Sequence, residues 1–341
     1  MNKPLVLVTG GSGFIAVHII VKLLQQGFRV RTTLRNMGRQ EEVKAMVKHG
    51  GVTDVTDLEF LQAELLSDDR WDSAAQGATY VIHVASPTPA TRPADGAAMV
   101  AMAVEGTLRV LKAAKAAGVK RVVLTSASGA VISGHRSHRE IFTENDWTNL
   151  SANIDAYQRS KTMAELAAWE FAKKEALELS VINPVAVLGP ILGTDYSHSN
   201  QIIKAMLTGK MPFLLKIGFD CVDVRDVADL HLLAMTHPKA AGERFLATSG
   251  ENLTYKEEAK ILRQTLGNAA DRVSTRELPD VVIKLIALFK KDLRMPATFL
   301  GQNTACSNAK AKAILGWQPR SATEAIVETA TSLIRFGLLD S

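Results

Sequence analysis

A doubly wound parallel α/β sheet is the fold class that this 341-residue sequence predicts. Three observations predict it. Short apolar, β-branched runs alternate with helical patterns from the start of the chain. The runs are apolar throughout rather than every second residue, as in strands buried on both faces. A glycine-rich turn joins the first run directly to the first helical pattern.

The elements follow in order. Leu5–Val8 is a short buried strand, and Phe14–Gln26 has apolar residues at helical spacing before a stop at Gly27. Strands are expected over Phe28–Leu34, Asp57–Leu61, Tyr80–Val84, Arg121–Thr125 and Leu179–Ile182, with helices near 40–49, 69–76 and 95–117. Right-handed crossovers then give the doubly wound order. Residues 184–220 read as loop-rich, and helices are expected near 255–266, 280–290 and 321–336. Arg244–Thr248 has the pattern of one more strand of the main sheet. The expected organisation is a dinucleotide-binding domain over 1–183, rejoined by 225–248. A smaller, interleaved substrate-binding region covers 184–224 and 249–341.

Composition narrows the function. Hydrophobic residues make up 47% and charged residues 22%, an ordinary globular balance. The formal charge is +5, but the basic residues are interspersed with acids and form no block, so no nucleic-acid partner is expected. The apolar start ends at Thr9, too early for a signal peptide, and the run over Val281–Phe289 is too short to span a membrane. Two cysteines, Cys221 and Cys306, cannot build a disulfide framework, so a reducing, cytoplasmic setting is expected. No His/Cys grouping has metal-ligand spacing, and no metal is expected; His135, Arg136 and His138 read as a loop edge.

The turn Thr9-Gly10-Gly11-Ser12-Gly13 leads into Phe14 and Ile15. Gly10 and Gly11 permit the sharp bend, and Gly13 lets a pyrophosphate approach the backbone at the positive end of the helix. This is the Rossmann-type signature, with Ala16 in the third small position. An NAD enzyme places an acid after the second strand, against the ribose hydroxyls. Here Arg35 stands there, with Arg39 and Lys44 beyond, so NADP(H) is the expected cofactor.

Tyr157 and Lys161 are four residues apart on one helix face, in a pattern running to Lys174. A fixed ammonium beside a phenol is expected to lower its pKa and make it a usable proton shuttle.

These motifs resemble the extended short-chain dehydrogenases/reductases, most closely the dihydroflavonol reductase, cinnamoyl-CoA reductase and aldehyde/ketone reductase branch. The resemblance runs over nearly the whole chain. It rests on Thr9–Ile15, Val81–Pro87, Lys120–Ser126, Tyr157–Lys161, Cys221–Ala228 and Leu315–Trp317. It implies NADP(H)-linked reduction of an aldehyde or ketone, with Tyr157 as general acid. It further implies that Glu64 and Leu65 border the adenine and that Val84, Ala85 and Ser86 line the dinucleotide path. Thr125 would stand at the cofactor, Pro184 to Val187 at the nicotinamide amide, and Ser199 at a phosphate. One departure is plain: the family's usual catalytic serine position holds Ala127. Ser126, next to it, is the expected replacement, with Ser128 the alternative.

The expected partner is a small hydrophobic carbonyl compound. Leu188, Ile191, Leu192, Phe213, Leu214 and Leu215 would make its pocket apolar if they face inward. Monomer and homodimer are both open. Two other functions compete: a nucleotide-sugar epimerase or dehydratase on the same fold, and an NADP-sensing regulator. Arg35 argues against the first, and the retained Tyr157/Lys161 pair against the second.

Overall fold

In the computed structural model, which describes residues 3–87, 95–135, 141–194, 197–289, 300 and 304–339, the chain opens with strand β1 (Leu5–Thr9). Every residue of β1 is buried. Val6 and Val8 join the core on one face, and Leu7 joins the core on the other. Helix α1 (Phe14–Gln25) follows, then β2 (Arg29–Leu34), α2 (Gln40–His49), β3 (Leu58–Gln62), α3 (Trp71–Ala75) and β4 (Tyr80–His83). Helix α4 (Gly96–Ala116), β5 (Arg121–Thr125), α5 (Ala156–Glu175) and β6 (Glu178–Pro184) complete the second half.

These strands lie in the order β3-β2-β1-β4-β5-β6, all parallel. A seventh strand, β9 (Arg244–Ala247), extends the sheet beside β6, with Ile182 opposite Phe245. The order reverses between β1 and β4, and that switch point opens a crevice at the carboxyl ends of the strands. Helices α1 and α2 cover one face, and α3, α4 and α5 cover the other.

Residues 184–220 differ from their loop-rich expectation. They contain β7 (Ala186–Leu188), helix α6 (His198–Leu207) and the start of β8 (Gly218–Asp223). Ser197 caps α6 by accepting from the Asn200 amide, and Ile203, Met206 and Leu207 form its buried stripe. Strand β8 pairs with β7 in parallel and with β10 (Asn252–Thr254) antiparallel, making a second, three-stranded sheet. Helix α7 (Val224–Thr236) then returns to the main sheet and packs on α1. Helices α8 (Tyr255–Leu266), α9 (Asp280–Phe289), α10 (Ala309–Leu315) and α11 (Ala322–Arg335) finish the chain.

One apolar core runs from α1 and β1 through α7 into β7, β8, α6, α8 and α11. It absorbs Leu188, Ile191, Leu192 and Leu214, so these residues pack the interior, and Leu188 also forms part of the wall of a small cavity. Phe213 is exposed. Ion pairs fix the junction: Asp223 caps α7 and grips Arg225 with both oxygens at 2.9 and 2.7 Å, and Asp226 pairs with Arg320. His138 and Arg136 lie outside the described residues.

Candidate active site

The glycine turn is built by its neighbours. Gly10 has φ +72°, and a Cβ there would meet Ala85 at 3.1 Å. A Cβ on Gly11 would sit 2.1 Å from Thr32 Oγ1. Thr33 holds the turn from β2: its hydroxyl accepts from the Gly10 amide at 3.0 Å, and its carbonyl from the Gly11 amide at 3.0 Å. Thr9 closes the other side. Its Oγ1 accepts from the amides of Val84 and Ala85 at 3.1 and 3.0 Å, so its own proton goes to His83 Nδ1, 2.8 Å away. Burial, then the charge of Lys161, hold the His83 imidazole down at about 3, so it is neutral.

Gly13 is the N-cap of α1 and offers no capping side chain, and no acid occupies the first turn. The amides that open α1 therefore face the crevice without a side-chain cap. That is an anion site in form, and the absence of Cβ atoms at Gly10 and Gly13 leaves the approach open. These residues fit a dinucleotide pyrophosphate. Arg35 is exposed just past β2. Arg39 reaches back to Ser12 of the turn, donating to its Oγ at 3.0 Å. Arg31 is committed elsewhere, donating to the carbonyls of Ser73, Ala74 and Gln76 behind α3. The rest of the Arg39 guanidinium is held by Glu42, with Nε and Nη2 each donating to its carboxylate at 2.8 Å, so Arg35 is the guanidinium that matches the expectation.

Glu64 and Leu65 follow the end of β3, and Val84 to Ser86 follow β4 beside Gly10. Pro184 ends β6, and Val187 is buried in β7. Ser199 lines a small cavity with Ala186, Leu188, Ile202, Ile203, Phe219 and Glu258. Phe14 is buried, and Ile15 is half-buried against the core.

Helix α5 starts at the same edge. Asp155 caps it by accepting from the Tyr157 amide at 2.9 Å. Tyr157 in its first turn is 43% exposed. Lys161 Nζ lies 5.9 Å from the centre of the Tyr157 ring. Lost solvation pulls Lys161 down to about 8, with Glu165 drawing it back up. Lost solvation also holds the Tyr157 phenol above its ordinary value. This reverses the expected downward shift of the phenol. The ammonium lies over the ring, and the desolvation of the hydroxyl dominates. Tyr157 is therefore a neutral acid with a proton to give.

Two hydroxyls at the end of β5 are turned from the crevice. Thr125 Oγ1 is 2.7 Å from His231 Nε2; since His231 Nδ1 lies 2.7 Å from the Val227 carbonyl, Thr125 is the donor. Ser126 donates to Glu165 Oε2 at 2.6 Å and is buried, so its one proton is committed to that carboxylate rather than to a substrate carbonyl. Ser128 opens the single helical turn Ser128–Ala130, which packs on α5, and is half-buried. Gly129 next to it lets Gln158 approach, 3.3 Å from where a Cβ would stand.

Sequence reading did not single out Glu165, Asn183 or Arg244, which form a buried network under this edge. Glu165 follows Lys161 by four residues, and that spacing within an apolar helix face was its one signal.

A switch-point crevice, an open glycine turn and a Tyr/Lys helix define a dinucleotide-binding α/β protein equipped for proton transfer. The chain belongs to the NAD dependent epimerase/dehydratase family, whose model matches residues 6–247, and within it to the extended short-chain dehydrogenases/reductases. It is 34% identical over 265 residues to cinnamoyl-CoA reductase CAD2 of Medicago truncatula, covering 76% of this chain and 80% of that one. It is 30% identical over 349 residues to ketoreductase azaE of Aspergillus niger, covering 96% and 97%. Its fold is similar to that of yeast methylglyoxal/isovaleraldehyde reductase Gre2 complexed with NADPH. The TM-score is 0.80 at 24% identity, over 98% of this chain and 99% of that one.

Proposed function

We propose that this chain reduces a small aldehyde or ketone to the alcohol, with NADPH as hydride donor. The observation that carries the reading is Tyr157, a neutral phenol beside Lys161 at the mouth of the dinucleotide crevice. The names of the relatives, a cinnamoyl-CoA reductase and a ketoreductase, and the NADPH complex of the fold neighbour support it.

The first turn of α1 would hold the pyrophosphate, and Arg35 the 2′-phosphate. Bound NADPH supplies the hydride that reaches the carbonyl carbon. Tyr157 gives its proton to the oxygen as negative charge develops there, leaving a phenolate that is reprotonated before the next turnover. Lys161 places a positive charge beside that phenolate. Ser128 is our candidate for the hydroxyl that holds the carbonyl, because Ser126 and Thr125 are engaged below. We assign 1–183 and 225–248 to cofactor binding, and 184–224 and 249–341 to shaping the substrate side.

The family also contains epimerases and dehydratases. The absence of an acid at the end of β2, where Arg35 stands, favours the reductase. A panel of aldehydes and ketones, followed by NADPH oxidation at about 340 nm (the cofactor's own absorbance), tests it. Net oxidation with at least one carbonyl is expected. No net oxidation across the panel, with cofactor retained on the protein, contradicts it.

A further inference from the structure

Glu165 is fully buried on α5, one helical turn beyond Lys161. Four groups converge on its carboxylate. Ser126 Oγ donates at 2.6 Å and Asn183 Nδ2 at 2.8 Å, both to Oε2. Trp169 Nε1 donates to Oε1 at 3.3 Å, and Arg244 forms an ion pair with Oε1 at 2.8 Å. Arg244 is itself fixed: its guanidinium stacks 3.8 Å over the Trp147 ring, and its Nη1 donates to the Asp146 carbonyl at 3.1 Å. Asn183 also donates to the Ala127 carbonyl at 3.2 Å.

The network joins α5 to β5, β6 and β9 at one point, and it grips residues 126 and 127 from two sides. A buried ion pair is weak evidence for stability, since well-packed apolar residues often do as well. Packing alone does not account for a charge here. Its place beside the proton-transfer pair does.

We propose that Glu165 is a positioning residue for the reaction: its buried negative charge locks the end of β5 against the helix that carries Tyr157 and Lys161, and opposes the charge of Lys161. The inference rests on the reductase reading above. The described charged and titratable groups that interact with the Lys161 and Glu165 pair are His83 on β4, Tyr157 on α5, and Arg244 on β9 with Glu144 beyond it. His83 is neutral, so Glu165 sets the sign of the field at Lys161.

The test reads Lys161 directly. Competitive acetylation with acetic anhydride, followed by peptide mass spectrometry across a pH series, gives the midpoint at which the Lys161 amine becomes reactive. Glu165→Gln removes the charge and keeps the size, so the midpoint should fall by about one pH unit, or roughly tenfold greater reactivity below it. Arg244→Gln leaves the carboxylate unopposed, so the midpoint should rise. The alkaline limb of kcat/KM should move with each midpoint. Opposite shifts in the two variants, both folded by thermal melt, are the expected result. Shifts in the same direction, or an unmoved midpoint in Glu165→Gln, overturn the proposal. If Glu165→Gln does not fold, Arg244→Gln decides alone, and a midpoint that stays or falls overturns it. The labelling needs no substrate, so a failure of the reductase reading shows only in the carbonyl panel.

Discussion

The two sheets of this molecule bury a carboxyl group in opposite ways. Beside the large sheet, Glu165 is surrounded by a guanidinium, a hydroxyl, an amide and an indole. Beside the small sheet, Glu258 on α8 is equally buried, and neither oxygen has a hydrogen-bond partner among the described residues. It faces a small cavity of mostly apolar walls, and burial pushes its carboxyl up to about 8. The first arrangement matches a carboxyl with donors and a cation, and the second leaves a neutral acid in an apolar wall. The difference matches the work of each region. The carboxyl edge of the large sheet collects the open amides, the arginines, Tyr157 and Lys161. The small sheet contributes core and shape.

Substitutions at the large sheet's edge should therefore change rate and cofactor choice, and those beside the small sheet should change stability. The largest effect is expected from Tyr157→Phe, which removes only the general acid. Turnover should fall by about 10² or more with NADPH affinity nearly unchanged. A parallel loss of affinity, read by cofactor titration, would show that the ring positions cofactor instead. Ser128→Ala should lower kcat by about 10²–10³ if its hydroxyl holds the carbonyl. Ser126→Ala should act through Glu165 and move the alkaline limb of the pH profile. Equal, negligible losses in both would leave the carbonyl to some other donor.

Arg35→Asp should shift the NADPH to NADH ratio of kcat/KM toward NADH by roughly 10- to 150-fold, the worth of a charge-assisted phosphate contact. A ratio that does not move makes Arg35 a solvated edge residue and defeats its assignment to the phosphate. The effect expected in the other region is on stability and not on rate. The folded chain keeps a proton on Glu258 up to about 8, whereas the unfolded chain loses it near 4.5. Its contribution to stability is present below about 4.5 and falls by about 1.4 kcal/mol per pH unit until about 8. Glu258→Gln should remove that slope and gain on the parent as pH rises, with turnover kept. Denaturant melts at several pH values check it, and parallel curves for the two proteins would break the contrast.

The large sheet was legible because its central strands are buried on both faces and follow a repeated strand-helix period. The glycine turn and the Tyr157/Lys161 pair were legible because each depends on local spacing. What the sequence hid depends on contacts across long separations. Ser126 meets Glu165 only when β5 packs on α5, and Arg244 joins them from a strand added 79 residues after Glu165. The sequence places Ser126 next to Ala127 but does not show what its hydroxyl meets in the fold. Leu188, Ile191 and Leu192 carry the same apolar signal whether they line a pocket or fill a core, and here they fill a core. Helix α6 is only ten residues long within a run broken by Gly and Pro, so its period was masked. The direction of the Tyr157 shift depends on the desolvation of one hydroxyl, which no spacing reveals.

The most direct test of the central claim follows the hydride. The chain is incubated with NADPH deuterated at the transferable C4 position and with a carbonyl compound active in the panel, and the alcohol is analysed by mass spectrometry and NMR. One deuterium on the carbinol carbon, one NADP+ released per alcohol and about 10² slower formation of the labelled alcohol in Tyr157→Phe are the predicted results. Product with no deuterium, or deuterated cofactor recovered unchanged after many turnovers, would contradict the account.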